Sequence, residues 1–173
     1  MIQRVLAIPS KRAEQTPIAF LTRPEIEALL AAPDQATWMG RRDRTLLLLA
    51  IQTGLRVSEL TELRCQDVVL GAGAHVRCYG KGRKARCTPL RQETLVAVRC
   101  WLRERQGAPM DPVFPTARGG ALSRDAVEAL LAKHLVTARQ HCASLQHKRV
   151  SPHVLRHNPA HLLMLSVRSI GSS

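Results

Sequence analysis

Residues 46–51 form an unbroken apolar run, LLLLAI, and this run organises the fold prediction. Its position between polar residues and its freedom from charge favour a buried helix that ends just after it. Gly54 follows where helices often stop with a residue of positive φ. Ser58 is then placed to cap a new helix whose inward positions are Leu60 and Leu63. The segment therefore predicts two packed helices joined by a tight turn.

Arg56 lies in that turn. Packed elements on both sides would hold its guanidinium in a fixed direction, which suits a bidentate grip on phosphate. Glu59, three residues later, is within reach of the same guanidinium and would hold it. Taken alone, the segment fits an ordinary surface Arg–Glu pair equally well, because such pairs are common and weak.

Two further segments carry residues suited to phosphate chemistry. SPHVLRH, residues 151–157, places His153 and Arg156 three apart, on one face of a helix. YGKGRKAR, residues 79–86, is a basic turn with two glycines. It joins two predicted strands, residues 74–79 and 84–90, with Lys81 at the tip.

Together, TGLRVSEL (53–60), GKGRK (80–84) with TPL (88–90), and HVLRH (153–157) resemble the catalytic domain of the tyrosine recombinases, or phage-type integrases. The motifs occur in the family's order, and the resemblance covers about residues 18–163. The implied fold is mostly α with a small three-stranded antiparallel sheet (α+β). The resemblance implies four catalytic residues, with two supporting ones: Arg56, Lys81, His153 and Arg156, supported by Glu59 and His157.

Each implied role has a chemical reason. Charge builds on the non-bridging oxygens of a phosphodiester as phosphorus becomes five-coordinate, and preorganised arginines neutralise it without a metal. Lys81 would protonate the departing 5′-oxygen, although a solvated lysine is the simpler reading of that position. His153 would accept a proton from the attacking hydroxyl or orient the phosphate. In the family a tyrosine attacks to give a 3′-phosphotyrosyl link, so the resemblance implies no cofactor and no metal.

The resemblance weakens towards the C-terminus. The family's nucleophilic tyrosine lies beyond the second arginine, whereas the only tyrosine of this sequence is Tyr79, in a predicted strand. The segment after Arg156 is also one residue shorter than the family's spacing. We therefore expect no nucleophile in this chain and a truncated or frame-shifted integrase gene. A helix-interior Pro159 further predicts a kink at Asn158–Pro159.

The charge of the chain indicates a polyanionic partner. The formal net charge is +13, and arginine suits phosphate by geometry as well as charge. Codon usage alone is the alternative explanation for arginine richness. With 3% aromatic residues, stacking platforms for single strands are disfavoured. Five basic residues are candidates for DNA contacts: Arg41, Arg42, Arg83, Lys84 and Arg86.

Cysteine usage and hydropathy favour a cytoplasmic protein with no membrane partner. The sequence shows no secretory signal, and its longest apolar run is far below a membrane span. Five cysteines form no Cys-x-x-Cys pair, which favours a reduced setting. His75, Cys78 and Cys87 are too few for a closed zinc site, so strand cysteines are the favoured reading.

These observations predict a linker or arm over residues 1–21, an incomplete integrase-like catalytic domain over 22–165 and a disordered tail over 166–173. The predicted function is site-specific DNA recombination or integration, typical of a recombinase or transposase of a mobile element. The partner would be double-stranded DNA, with a homo-oligomer on DNA for the full-length family member. The alternatives are a non-enzymatic duplex-DNA-binding remnant and a basic RNA-associated protein.

Overall fold

The structure, a computed structural model, describes residues 20–158. Six α-helices lie in this range: α1 (Arg23–Ala31), α2 (Trp38–Thr53), α3 (Val57–Glu62), α4 (Gln92–Arg105), α5 (Arg124–His141) and α6 (Pro152–Arg156). Three strands lie between α3 and α4: β1 (Val68–Val69), β2 (His75–Tyr79) and β3 (Ala85–Pro89). None of the helices within residues 20–158 has both the length and the apolar character needed to cross a membrane.

The strands form one antiparallel sheet in the order β1-β2-β3. Val76 and Cys78 point from β2 into the core, while Arg77 and Tyr79 on the opposite face are exposed. The alternation is the period of two expected for a half-buried strand. The predicted fold class, mostly α with a three-stranded antiparallel sheet, is confirmed.

Helix α2 is the central helix of the domain. Leu47, Leu48 and Ile51 face a core cluster shared with α1, α5 and Leu155 of α6. Leu46, Leu49 and Ala50 face a second cluster shared with the sheet and α4. All six residues of the run 46–51 are at most 5% exposed, so the prediction of a buried helix is confirmed. A helix apolar on all sides is one that is covered on all sides.

The start of α3 differs from the prediction. Its N-cap is Arg56 rather than Ser58, and the helix begins at Val57. The carboxylate of Glu59, at the third helical position, accepts the backbone N–H of Arg56 over 2.7 Å. A glutamate at this position reaches back and satisfies the free N–H of the N-cap residue, as in one half of a capping box. Leu60 and Leu63 are buried as predicted.

Several predictions fall outside the described residues. These are the arm before residue 20, the backbone at Pro159, the continuation of a helix towards residue 165 and the tail from residue 166. Helix α6 ends at Arg156, with His157 as its C-cap.

Candidate functional site

The joint between α2 and α3 presents Arg56. Gly54 ends α2 at φ 65° and ψ 26°, and its N–H donates to the Ala50 carbonyl over 3.0 Å. This left-handed conformation favours glycine, because a Cβ would crowd the following carbonyl. Leu55 then anchors the turn in the core, while the Arg56 side chain is 52% exposed. The backbone of Arg56 is therefore held at both ends while its guanidinium faces outward.

Helix α6 carries His153 and Arg156. Ser151 caps it, Pro152 occupies its first turn and Leu155 is buried in the α1–α5 core cluster. The Arg156 carbonyl lies 3.2 Å from the position that a Cβ on Gly54 would take. The end of α6 therefore packs directly against the end of α2.

One cleft of about 300 Å³ opens between these elements. Three of the four predicted catalytic residues line it, namely Arg56, His153 and Arg156. The remaining lining residues are Leu55, Val57, Arg124, Glu128, Ser151 and Pro152. Arg124 and Glu128 were not predicted from the sequence. The signal for Arg124 was its place directly after Ser123, the residue that caps α5.

The cations of the cleft are open to an anion. Arg56 Nη1 is 3.7 Å from Glu59 Oε1, too far for a hydrogen bond. Within residues 20–158 no carboxylate forms a salt bridge with Arg156. Among the described residues, both guanidinium groups therefore keep donors for a ligand. A phosphate held by two arginines would gain charge-assisted hydrogen bonds from each.

Glu59 was predicted to hold the Arg56 guanidinium, but its closest contacts are with the Arg56 backbone and with Arg86. Its carboxylate is buried, and Oε2 accepts both the Arg56 backbone N–H, over 2.7 Å, and Arg86 Nη2, over 2.9 Å. Glu59 thus orients Arg56 mainly through the backbone. The same carboxylate ties Arg86 of β3 to α3, so one oxygen joins the lysine hairpin to the arginine turn.

The hairpin tip lies outside the cleft lining. Lys81 belongs to a short 3-10 turn, Lys81–Arg83, in which Gly82 and Arg83 have φ of 78° and 58°. Lys81, Arg83 and Lys84 are exposed. The structure thus places Lys81 at a tip, as the sequence predicts, but not among the residues that line the cleft.

His157 lies against His153 on α6. Their ring centroids are 4.2 Å apart and the rings are tilted by 59°. The sequence analysis expected His157 to support Arg156, whereas the recorded contact is with the neighbouring histidine ring.

Arg42 is not a surface residue. Its side chain is 4% exposed, and its Nε and Nη2 donate to Asp43 Oδ1 while Nη1 donates to the Pro115 carbonyl. Asp43 Oδ2 accepts from His134 Nε2 over 2.8 Å. The structure corrects the prediction that Arg42 contacts DNA, because a buried and fully paired guanidinium has nothing to offer a phosphate.

Arg41 is engaged at the surface. It donates to both carboxylate oxygens of Glu104 and to the Gln35 carbonyl. These bonds to Glu104 raise the pKa of Arg41 and lower the pKa of Glu104. A phosphate would have to displace an existing partner to use this guanidinium.

Metal ligands do not cluster in the described part of the chain. Residues 20–158 contain no group of three or more His, Cys, Asp or Glu side chains that could hold a metal ion. His75 Nδ1 donates to the Gly73 carbonyl instead. Burial, with the nearby Glu59 charge, raises the pKa of the Cys78 thiol to about 11.

Comparisons with known proteins agree with this geometry. Residues 19–169 match the Phage integrase family. The chain is 54% identical over 159 residues to the putative integrase/recombinase y4rC of Sinorhizobium fredii, covering 92% of this chain and 48% of the relative. It is 38% identical over 149 residues to the tyrosine recombinase XerD of Pseudomonas aeruginosa, covering 83% and 48%. The chain thus spans about half the length of these relatives.

Solved structures of recombinases share the fold of this chain. The XerA recombinase superposes with a TM-score of 0.70 at 26% identity, over 91% of this chain and 52% of that one. The XerH site-specific recombinase, bound to difH substrate in a pre-cleavage complex, superposes with a TM-score of 0.65 at 27% identity, over 87% and 44%. This chain therefore belongs to the phage integrase family, and its fold is that of a tyrosine recombinase catalytic domain.

Proposed function

We propose that this chain supplies the phosphate-binding part of a site-specific recombinase, an enzyme that breaks and rejoins duplex DNA. The observation that carries the proposal is the cleft that Arg56, His153 and Arg156 line together. Relatives named as recombinases support it, and so does the XerH structure with its difH substrate. The proposed partner is double-stranded DNA, bound in the cytoplasm, with a homo-oligomer on DNA for the full-length protein.

Arg56 and Arg156 approach the cleft from different elements. Arg56 comes from the α2–α3 joint and Arg156 from the end of α6. A phosphate between them would receive donors from both, and these would strengthen as negative charge builds on its oxygens in the transition state. Because both backbones are held by packed neighbours, the donors need little rearrangement when the charge develops.

His153 and Lys81 are proposed to move protons. His153 lines the cleft, where its ring can accept a proton from an attacking hydroxyl or hold a phosphate oxygen. Lys81 would protonate the departing 5′-oxygen. Since Lys81 does not line the cleft, this role requires the hairpin to move towards the scissile phosphate when DNA binds.

The hairpin also offers sequence-independent contacts. Arg83 and Lys84 are exposed beside Lys81 and are proposed to bind neighbouring phosphates. Arg86 is 45% exposed but paired with Glu59, so its main role is to hold the hairpin against α3. Contacts of this kind fix the position of a protein on the duplex without reading its sequence.

A duplex-binding role without cleavage is the second candidate for this 173-residue sequence. The observation that favours it is the position of Tyr79, its only tyrosine. Tyr79 pairs with Ala85 at the end of β2 and does not line the cleft. We propose that this sequence alone binds DNA and forms no covalent adduct on a nicked substrate. An adduct that Tyr79→Phe abolishes would contradict this.

Salt dependence of duplex binding tests the proposal. The affinity for a duplex oligonucleotide should fall with salt by about 0.9 log units per log unit of salt for each phosphate neutralised. Arg56→Met and Arg156→Met should each weaken binding, and replacing both should reduce this slope by about one phosphate contact. Arg23→Met is the matched control, because Arg23 is paired with Glu27 on α1. Binding that ignores salt, or that prefers structured RNA, would contradict the proposal.

A further inference from the structure

Glu25 is a buried carboxylate outside the cleft. The residue is 0% exposed, and Oε2 accepts the backbone N–H of Thr22 over 2.8 Å, as expected at a helix start. Two further partners come from the far end of the domain. Lys148 Nζ donates to Oε2 over 2.7 Å, and the Ser144 hydroxyl donates to Oε1 over 2.6 Å. Capping α1 requires neither of these contacts.

The partners of Glu25 keep it ionised. Burial alone would raise its pKa, but the hydrogen bonds from Lys148, Ser144 and the Thr22 amide outweigh burial and lower it. Lys148 is 27% exposed and also donates to the Phe20 carbonyl over 2.9 Å. One ammonium group thus joins the start of α1, the backbone at residue 20 and the connection before α6. A buried charge with these partners resists separation, because removing one leaves the other uncompensated.

Helix α6 depends on such anchors. It has only five residues, and a helix of that length is not stable without tertiary contacts. The connection that precedes it, residues 142–151, is held at several points. Leu145 is 0% exposed, and the Arg139 guanidinium donates to the carbonyls of Leu145 and Lys148 over 3.1 Å each. The Lys148 side chain then fixes this connection to α1, shortly before His153.

We propose that Glu25, Ser144 and Lys148, here called the Glu25 cluster, are positioning residues for the cleft. They hold the connection that leads into α6 and so set the places of His153 and Arg156. Through the Phe20 carbonyl, the cluster also links the backbone that enters α1 to the helix that carries His153 and Arg156. The relevance to catalysis rests on the proposed function, whereas the effect on α6 itself does not.

Three variants at two lysines test the positioning role. Lys148→Met removes the ammonium group, Lys148→Arg restores a cation, and Lys133→Met removes an exposed positive charge from α5 as a control. Amide hydrogen exchange would be followed at Leu155 and His157, whose N–H groups donate to the Ser151 and His153 carbonyls at the two ends of α6. Amides of α2 and α4 in the same sample report global stability.

The expected result is local. In Lys148→Met, α6 amides should exchange faster relative to α2 and α4 by about tenfold or more, because hydrogen bonds to charged groups are among the stronger ones. Lys148→Arg should restore most of the protection, and Lys133→Met should leave it unchanged. The proposal is overturned if α6 keeps its wild-type protection in Lys148→Met, or loses only what α2 and α4 lose.

A milder variant keeps the test decisive if Lys148→Met fails to fold. Ser144→Ala removes one neutral donor from the cluster and should shift α6 exchange in the same direction by a smaller factor. Duplex binding separates the two proposals. If the wild-type chain fails to bind duplex DNA, the proposed function fails while the exchange result stands. If it binds and Lys148→Met leaves either α6 exchange or duplex affinity unchanged, the positioning role fails.

Discussion

The two ends of α2 carry arginines with opposite surroundings. Arg42, in the first turns, is buried and pairs with Asp43 and the Pro115 carbonyl. Arg56, just past the last turn, is half exposed, with its nearest carboxylate oxygen 3.7 Å away. From the sequence, Arg56 was predicted to bind phosphate as a catalytic residue and Arg42 to contact DNA. Of the two, only Arg56 has an exposed side chain.

The difference shows that the side chains around an arginine determine whether its guanidinium is available to a ligand. Asp43 follows Arg42 directly and is itself held by His134 from α5, so the three groups form a closed buried network. Arg56 is fixed through its backbone by Gly54 and Glu59, which leaves its guanidinium open. The first arrangement contributes stability, and the second leaves a guanidinium available for the proposed phosphate contact.

Removing the buried arginine should have the largest effect. Arg42→Met leaves Asp43 in the core with only His134, and breaking a buried ion pair costs about 3–5 kcal/mol. Denaturant unfolding followed by circular dichroism measures this loss. Arg41→Met, one residue away in an exposed pair with Glu104, is the control and should lose far less. A fully stable Arg42→Met variant with weakened DNA binding would show that Arg42 serves binding rather than stability.

The glycine at the end of α2 should have the next largest effect. Gly54→Ala places a side chain at φ 65°, at a cost of about 1–2 kcal/mol. Its Cβ would also lie 3.2 Å from the Arg156 carbonyl, so α6 would have to shift. Unfolding free energy and duplex affinity should both fall.

Gly73→Ala is the matched control for that variant. Gly73 has φ 68°, but nothing lies within 4 Å of its Cβ position. It should show the same backbone cost without a loss of DNA affinity. Equal loss of affinity in both glycine variants would show that the approach of α6 to α2 does not matter for binding.

Lowering the pH should reduce the contribution of the Glu25 cluster to the free energy of unfolding. This loss should be smaller than those expected for Arg42→Met and Gly54→Ala. Because the folded-state pKa of Glu25 is lowered, its contribution is complete above the ordinary value of 4.5 and is lost as pH falls through the lowered pKa. The wild-type protein should therefore lose more unfolding free energy between about pH 6 and about pH 3 than Glu25→Gln. Glu62→Gln, at an exposed position on α3, should keep the wild-type pH profile.

Sequence patterns predicted the local features of this fold. The apolar run 46–51, the glycine stop at Gly54 and the two-glycine hairpin each depend on neighbours within a few residues. The spacing of His153 and Arg156 likewise indicated a shared helical face. Together with the family resemblance, these features predicted the fold class. They also predicted four catalytic residues, three of which line the cleft.

Long-range pairing was beyond those patterns. Asp43 and His134 are 91 residues apart, and Glu25 and Lys148 are 123 apart, so no local spacing indicates that they meet. The prediction for Arg42 failed for this reason, since its burial depends on Pro115 in a distant loop. The prediction for the start of α3 was wrong for a local reason. Arg56 is the N-cap, and Glu59 rather than Ser58 supplies the capping side chain.

Under the proposed function, Arg56 and Arg156 hold one phosphate between them. A double-mutant cycle of Arg56→Met and Arg156→Met, scored by affinity for a duplex oligonucleotide at fixed salt, tests this directly. Groups that share a ligand should couple by about 0.5–3 kcal/mol, so the double variant should lose less affinity than the two single losses combined. The pair Arg56→Met and Lys84→Met should be additive within about 0.5 kcal/mol, because Lys84 lies on the hairpin outside the cleft. Additive losses for Arg56 and Arg156 as well would contradict the claim that the cleft binds one phosphate through both arginines.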